Sequence, residues 1–166
     1  FWSNFNKIIM ILVTIGTQAP FDRLIKIIDD LAIDINEPVI AQVYGGQYQP
    51  HNINTVDFLS PKEFEELFEK ARIIISHAGM GTIISALFKE KPIIIFPRLA
   101  SFQEHRNDHQ LHTAMKMNEL GYAYVAYDQK QLKDLLLNND LKVLHRIGET
   151  ASTSLIQSIE HYIETI

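Results

Sequence analysis

Residues 76–87 read SHAGMGTIISAL and follow the apolar run Ile73, Ile74 and Ile75 directly. Gly79 and Gly81 allow a ligand to approach the backbone closely, and a helix starting here presents unpaired N–H groups at the positive end of its dipole. Thr82 adds a hydroxyl donor. The pattern favours a phosphate or diphosphate ligand. Alternatively, the glycines form only a tight turn at a helix end.

Two common phosphate-binding motifs do not fit this stretch. A P-loop requires a lysine directly after its last glycine, and none follows here, which argues against NTP hydrolysis. A dinucleotide fingerprint requires a third glycine at the position of Ile84. That fingerprint also follows the first strand of its domain, whereas this stretch follows the fourth predicted strand. The sequence therefore gives NAD binding little support.

A second polar cluster, EHRNDHQLH, covers residues 104–112. Its histidines 105, 109 and 112 suggest a metal site, but residues seven apart on a straight helix are separated by roughly 10 Å along its axis. Zinc ligands need bonds of about 2 Å, so we expect no metal here. In a second interpretation, the cluster is an ordinary polar helix start that Asn107 or Asp108 caps. In a third interpretation, four side chains point into a cleft and suit sugar hydroxyls: Asn107, Asp108, His109 and Gln110.

Short β-branched runs alternate with helical periodicity along the chain. The predicted strands are 8–15, 38–44, 55–59, 72–75, 92–96 and 122–126. The predicted helices include 60–71, where Ser60, Pro61 and Glu63 form a capping box, and about 107–120, with two more after residue 126. Alternating strands and helices predict a single Rossmann-like α/β domain with a parallel sheet.

Ligands of such sheets bind beyond the carboxyl ends of the strands. Three loops meet this description: residues 16–18 (Gly16, Thr17 and Gln18), 76–82 and 97–110. They are also the most polar and glycine-marked loops of the chain. We therefore expect one ligand site where the three loops meet.

Composition bounds the class of protein. The 166 residues carry a net charge of −5 and no cysteine, which argues against nucleic-acid binding, disulfides and thiolate metal sites. No apolar run approaches the roughly 20 residues that span a bilayer. We predict an N-terminal extension at residues 1–9, one domain at residues 10–166, and a cytoplasmic location.

Four motifs in series resemble glycosyltransferase family 28, in its C-terminal domain: VTIGTQAPFDRLIK, SHAGMGTIISAL, KPIIIFPRLA and EHRNDHQLHTA. They look most like the small, donor-binding subunit of split bacterial exopolysaccharide and capsule glycosyltransferases. The catalytic subunit of the two-part UDP-GlcNAc transferase of the dolichol pathway is a more distant likeness. Order and spacing agree over nearly the whole chain from Met10.

The resemblance implies half of a GT-B enzyme that binds a UDP-sugar as a substrate, with no cofactor. It places one loop near the diphosphate (Gly16, Thr17 and Gln18), a second under the diphosphate and sugar (Ser76, His77, Gly79, Gly81 and Thr82), and a third against the donor sugar (Asn107, Asp108, His109 and Gln110). Ser85 stands where many relatives carry a glutamate that binds ribose, and Glu104 is the candidate replacement.

Enzymes of this kind invert the anomeric carbon by direct displacement. A helix dipole and basic side chains stabilise the departing diphosphate. The candidates for that charge are Arg98, Arg106 and His77, with Arg98 preferred because it follows Pro97 at a strand end. The general base is expected on the acceptor half, and His77 is the alternative within this chain.

An apolar stripe near the end of the chain packs on this domain's own sheet or docks to a partner: Leu155, Ile156, Ile159, Ile163 and Ile166. The resemblance implies a separate membrane-associated subunit that supplies the acceptor site and holds this chain at the inner face of the membrane. Two other functions remain open: a non-catalytic nucleotide-sugar-binding protein, and a fragment of a nucleotide-sugar epimerase, since those enzymes share the GT-B layout.

Overall fold

Six parallel strands form one sheet in a computed structural model that describes residues 9–148. The order across the sheet is β3-β2-β1-β4-β5-β6, so the direction of strand addition reverses between β1 and β4. This arrangement confirms the predicted Rossmann-like domain. The strands are β1 (Met10–Thr14), β2 (Val39–Gln42), β3 (Asn54–Val56), β4 (Ala71–Ser76), β5 (Ile93–Ile95) and β6 (Tyr124–Val125).

Five α-helices cover both faces of the sheet within the described range. They are α1 (Asp22–Leu31), α2 (Pro61–Lys70), α3 (Met80–Phe88), α4 (His109–Glu119) and α5 (Gln129–Leu136). The first and last of them pack on one face and the other three on the opposite face. None of these helices is both long and apolar enough to cross a bilayer. The second C-terminal helix and the apolar stripe predicted at residues 155–166 lie outside the described residues.

The apolar runs of the sequence become strands because both faces of the sheet are covered. All five residues of β1 are buried. Along this strand, Ile11 and Val13 join the core under α1 and α5, whereas Met10 and Leu12 join the core on the other face. Alternation along a fully buried strand thus fills two cores at once.

The capping box predicted at the start of α2 is confirmed. Ser60 Oγ accepts a hydrogen bond from the Glu63 amide at 3.3 Å, and the Glu63 carboxylate accepts one from the Ser60 amide at 2.9 Å. The Ser60 hydroxyl also donates to this carboxylate, and that bond together with the one from the Ser60 amide lowers the pKa of Glu63. Two donors that the first helical turn leaves without partners are satisfied in this way.

The start of α4 differs from the prediction. The helix begins at His109 rather than near Asn107, and Asp108 holds the N-cap position without a capping bond from its side chain. The Asp108 carboxylate instead accepts from the Ala100 amide at 3.0 Å. Asn107 Oδ1 accepts from the His109 amide at 3.2 Å. Both side chains therefore organise the loop before the helix.

Candidate functional site

A cleft of about 380 Å³ opens where the strand order reverses, beyond the carboxyl ends of β1, β4 and β5. The three loops named from the sequence surround it, as expected for a parallel sheet of this topology. The cleft is lined by Ile15, Gly16, Thr17, Gln18, Ala19, His77, Gly79, Gly81, Thr82, Arg98, Glu104, His105 and Gln110.

Most of the predicted binding residues border this cleft, and four do not. Ser76 is fully buried beneath it, and Asn107, Asp108 and His109 are exposed and absent from its lining. His105, which the sequence suggested only as a metal ligand, does border the cleft. The structure thus brings the three loops together, and of the four residues predicted to face a sugar only Gln110 lines the cleft.

The first turn of α3 presents backbone donors to the cleft. Gly79 is the N-cap and provides no side-chain acceptor, and its own amide bonds to the His77 carbonyl at 2.7 Å. In residues 9–148, the amides of Met80, Gly81 and Thr82 make no hydrogen bond within the protein. Three unpaired N–H groups at the positive end of a helix dipole favour an anion.

The imidazole of His77 is packed between two glycines. A Cβ atom built on Gly16 lies 2.9 Å from His77 Cε1, and one built on Gly79 lies 2.3 Å from His77 Nε2. Gly16 also has a φ of +74°, which residues with side chains rarely adopt. Both glycines are therefore required by the position of this one ring.

Burial lowers the pKa of His77 to about 4, and the nearby side chains of Arg98 and His105 act electrostatically in the same direction. A hydrogen bond with the Thr14 backbone only partly opposes them. The imidazole is therefore uncharged at neutral pH, which argues against His77 as the source of the predicted positive charge. A base with so low a pKa is also a weak acceptor of a proton in catalysis.

The low pKa of His77 predicts a dependence of stability on pH. An unfolded chain binds a proton on His77 at a pKa of about 6.5, whereas the folded protein does so only near 4. Acidification between these values therefore favours the unfolded state. We expect the free energy of unfolding to fall over this range, and to fall less in His77→Gln.

Urea denaturation at a series of pH values measures this effect. His112→Gln, at an exposed position of α4, is the control and should follow the wild type. If His77→Gln loses as much stability on acidification as the wild type, His77 does not carry the effect.

Arg98 is buried, with 3% of its surface exposed. Its guanidinium donates hydrogen bonds to the carbonyls of Ile15 at 3.0 Å and Ala19 at 2.7 Å, and to that of Pro20. Burial lowers the pKa of Arg98, and the negative charge of Glu104 opposes this. An arginine keeps its proton under such conditions, so a permanent positive charge lies next to the loop at residues 15–20.

Glu104 is engaged by a residue that sequence reasoning missed. Arg23 donates to both carboxylate oxygens, at 2.6 and 2.8 Å, and the Leu99 amide donates to one of them at 3.0 Å. A carboxylate has about four acceptor positions, so few remain for the ribose contact proposed for Glu104. Arg23 lies within the motif VTIGTQAPFDRLIK, which is the only signal the sequence offers for it.

The side chain of Gln110 is oriented by the backbone of the neighbouring loop. Its Oε1 atom accepts a hydrogen bond from the Arg98 amide at 3.1 Å. That bond fixes which end of the side-chain amide is the donor. Within residues 9–148 the Nε2 group has no hydrogen-bond partner, so it is available to a ligand hydroxyl in the cleft.

No group of three or more His, Asp or Glu side chains within residues 9–148 is arranged to hold a metal ion. Of the three histidines considered, His109 and His112 lie on α4, whereas His105 lies in the preceding loop. There, its ring approaches the Asn107 carbonyl and side chain, both at 3.1 Å.

Comparison with known proteins gives one family and several relatives. The glycosyltransferase family 28 C-terminal domain matches residues 10–161. The UDP-N-acetylglucosamine transferase subunit ALG13 of Candida albicans is 30% identical over 72% of this chain and 42% of its own length. The UDP-N-acetylglucosamine–N-acetylmuramyl-(pentapeptide) pyrophosphoryl-undecaprenol N-acetylglucosamine transferase of Wolbachia pipientis is 24% identical over 99% of this chain and 53% of its own length.

Among solved structures, a solution structure of ALG13 superposes with a TM-score of 0.57 and 19% identity, covering 91% of this chain and 94% of that one. At this identity the likeness concerns the fold. The chain spans about half, or less, of the length of the two curated relatives above.

Proposed function

Because this chain belongs to glycosyltransferase family 28, whose C-terminal domain matches residues 10–161, we propose that it binds a UDP-sugar as the donor half of a two-part glycosyltransferase. The observation that carries the proposal is the cleft at the reversal of strand order. It joins unpaired helix amides to the glycine loop after β1 and to the oriented amide of Gln110.

The chemistry of the cleft suits a diphosphate. The first-turn amides of α3 donate to phosphate oxygens, and Gly81 leaves space beside them. The carboxylate of Glu104 borders the cleft, but its charge is paired with Arg23, so it repels an anion less than a free carboxylate does. Uridine as the base is supported by the two curated relatives, both of which are named as transferases of N-acetylglucosamine from its UDP derivative.

In this proposal the diphosphate leaves as the acceptor hydroxyl displaces it from the anomeric carbon with inversion. The α3 dipole and its amides stabilise the charge that develops on the departing oxygen. Arg98 borders the cleft, but its guanidinium donates to three backbone carbonyls, so in this proposal it contributes a positive field rather than a direct hydrogen bond to the diphosphate. The donor is consumed as a substrate, and no cofactor is required.

A GT-B active site lies between two domains, and the described residues form one. The Candida relative is named a subunit. We therefore infer that a second, membrane-associated subunit supplies the acceptor site and the general base, and brings this chain to the cytoplasmic face of the membrane. A lipid-linked acceptor fits this arrangement, and its use in exopolysaccharide or capsule synthesis stays a prediction.

Reconstitution tests the two-part proposal. The purified chain should bind UDP-N-acetylglucosamine yet show negligible transfer to a lipid-linked acceptor, and co-expression with a membrane-associated partner should restore transfer. Efficient transfer by this chain alone contradicts the need for a partner. Failure to bind any UDP-sugar contradicts the donor-binding role itself.

Gln110 is expected to distinguish the sugar from the nucleotide. Gln110→Ala removes the donor that faces the cleft, and an unpaired polar group costs roughly 1–3 kcal/mol, so affinity for a UDP-sugar should fall about tenfold or more. Affinity for UDP should fall less. Calorimetry with both ligands measures the difference.

His109→Ala, one residue earlier but outside the cleft lining, is the matched control and should bind both ligands as the wild type does. Equal losses for UDP and UDP-sugar in Gln110→Ala would assign this side chain to the nucleotide or to the structure of the loop.

A further inference from the structure

Two arginines connect the segment after β5 to the part of the chain after β1, one to the loop at residues 15–20 and the other to the first turn of α1. Arg98, in the segment after β5, reaches back to the carbonyls of the loop at residues 15–20. Arg23, in the first turn of α1, reaches forward to Glu104 and to the Pro97 carbonyl at 3.0 Å. Their guanidinium carbons lie 4.6 and 5.4 Å from the centre of the Phe21 ring. The two segments are thus held by a reciprocal pair of contacts.

The geometry of Arg98 is that of a structural clamp. Its side chain is almost fully buried, three backbone carbonyls accept from it, and an aromatic face covers the group. A planar guanidinium donates to several acceptors in one plane, which explains why arginine stands here. Because these donors are used inside the protein, little of the group is left for direct contact with a ligand.

The Arg23–Glu104 pair fixes the other end of the same segment. Its ion pair is partly buried, with 20% and 11% of the two side chains exposed. The Arg23 guanidinium also packs 4.7 Å from the Phe96 ring centre and 4.9 Å from that of Phe102. The strand β4 lies between β1 and β5, so these contacts connect the chain after β1 to the segment after β5 across the carboxyl end of β4.

We propose that Arg98 and the Arg23–Glu104 pair are positioning residues that set the spacing between the loop at 15–20 and the segment at 97–104, and so pre-form the cleft before a donor binds. The backbone of Arg98 extends the effect to Gln110 through their hydrogen bond. A cleft formed in advance avoids the ordering cost of binding. The inference rests on the proposed function for the identity of the ligand, but its loop geometry is measurable without one.

Replacement of Arg98 by lysine separates positioning from direct charge. Lysine keeps a positive charge but lacks the planar fork that holds three carbonyls. A positioning role therefore predicts that Arg98→Lys fails to rescue the defect of Arg98→Met. A role as a charged contact to the diphosphate predicts that lysine restores most of the affinity.

Two-dimensional amide NMR spectra of the ligand-free protein test the geometry. In Arg98→Lys, the signals of Gly16, Thr17 and Gln18 should shift or broaden, while that of Gly121, away from the cleft, stays in place. Affinity for UDP should fall about tenfold in both Arg98 variants, which corresponds to roughly 1.4 kcal/mol. Wild-type loop signals, or wild-type affinity, in Arg98→Lys overturn the proposal.

Glu104→Gln provides a second test should the Arg98 variants not fold. It weakens the pair with Arg23 and should shift the amide signals of Leu99 and of the loop at 15–20. Glu37→Gln is the matched control, because Glu37 forms a similarly buried pair with Arg72 near the amino-terminal ends of β2 and β4, away from the cleft. Unchanged loop signals in Glu104→Gln overturn the proposal. If the wild type does not bind UDP, the proposed function fails, and the loop signals still decide this inference.

Discussion

Gly81→Val is expected to abolish measurable binding of UDP while leaving the fold intact. Within residues 9–148, a Cβ atom at this position meets no atom within 4 Å apart from its chain neighbours and the adjacent helix backbone, so the folded protein accommodates a side chain. The same side chain enters the space beside the first-turn amides of α3, where the diphosphate is proposed to bind. Loss of two charge-assisted hydrogen bonds, each worth about 1.5–3 kcal/mol, lowers affinity at least ~100-fold.

Calorimetry with UDP, together with thermal unfolding, measures both parts of this prediction. Gly148→Val is the control, because a Cβ atom there also has no close neighbour among residues 9–148 and the residue lies outside the cleft lining. Wild-type affinity in Gly81→Val would show that the diphosphate does not occupy this helix start. An equal loss in Gly148→Val would show that the effect is not local.

Gly79→Ala, two residues earlier, is expected to act on the fold itself. Its Cβ atom would lie 2.3 Å from His77 Nε2, and the ring has little room to retreat because Gly16 packs on it as well. Overpacking of this kind costs typically 1–3 kcal/mol. Gly81→Ala should instead be neutral or stabilising by about 0.5–1 kcal/mol, since alanine is the better helix former.

Urea denaturation of the two alanine variants tests the contrast directly, since the substitution is the same and only the position differs. Equal stabilities would show that the His77 ring moves aside without cost. In that case the packing of the His77 ring between Gly16 and Gly79 would not require glycine at position 79.

The fold could be predicted from the sequence because the patterns that indicate strands and helices lie within short stretches of the chain. Runs such as residues 72–75 and 92–96 are too apolar for any place but a sheet covered on both faces, and Ser60 with Glu63 marks a helix start within four residues. Strand ends were less accurate. The third strand ends at Val56 rather than at residue 59, because pairing with β2 ends there.

The loops of the cleft were predictable as a set, because parallel strands bring their carboxyl ends to one edge. The roles of individual side chains were not, because they depend on partners far along the chain. Arg23 and Glu104 are 81 residues apart. The carbonyls that accept from Arg98 carry no signature in the sequence, and the pKa of His77 depends on burial among segments that meet only in the folded protein.

The most direct test of a UDP-binding cleft is a titration of the protein with UDP in the presence of EDTA, in which two-dimensional amide NMR spectra are recorded at each step. We predict saturable shifts of the amide signals of Met80, Gly81 and Thr82 and of the loop at residues 16–18, with weaker effects from GDP and NAD. A UDP-binding cleft is contradicted if UDP leaves these signals in place, if NAD or GDP is preferred, or if binding requires zinc.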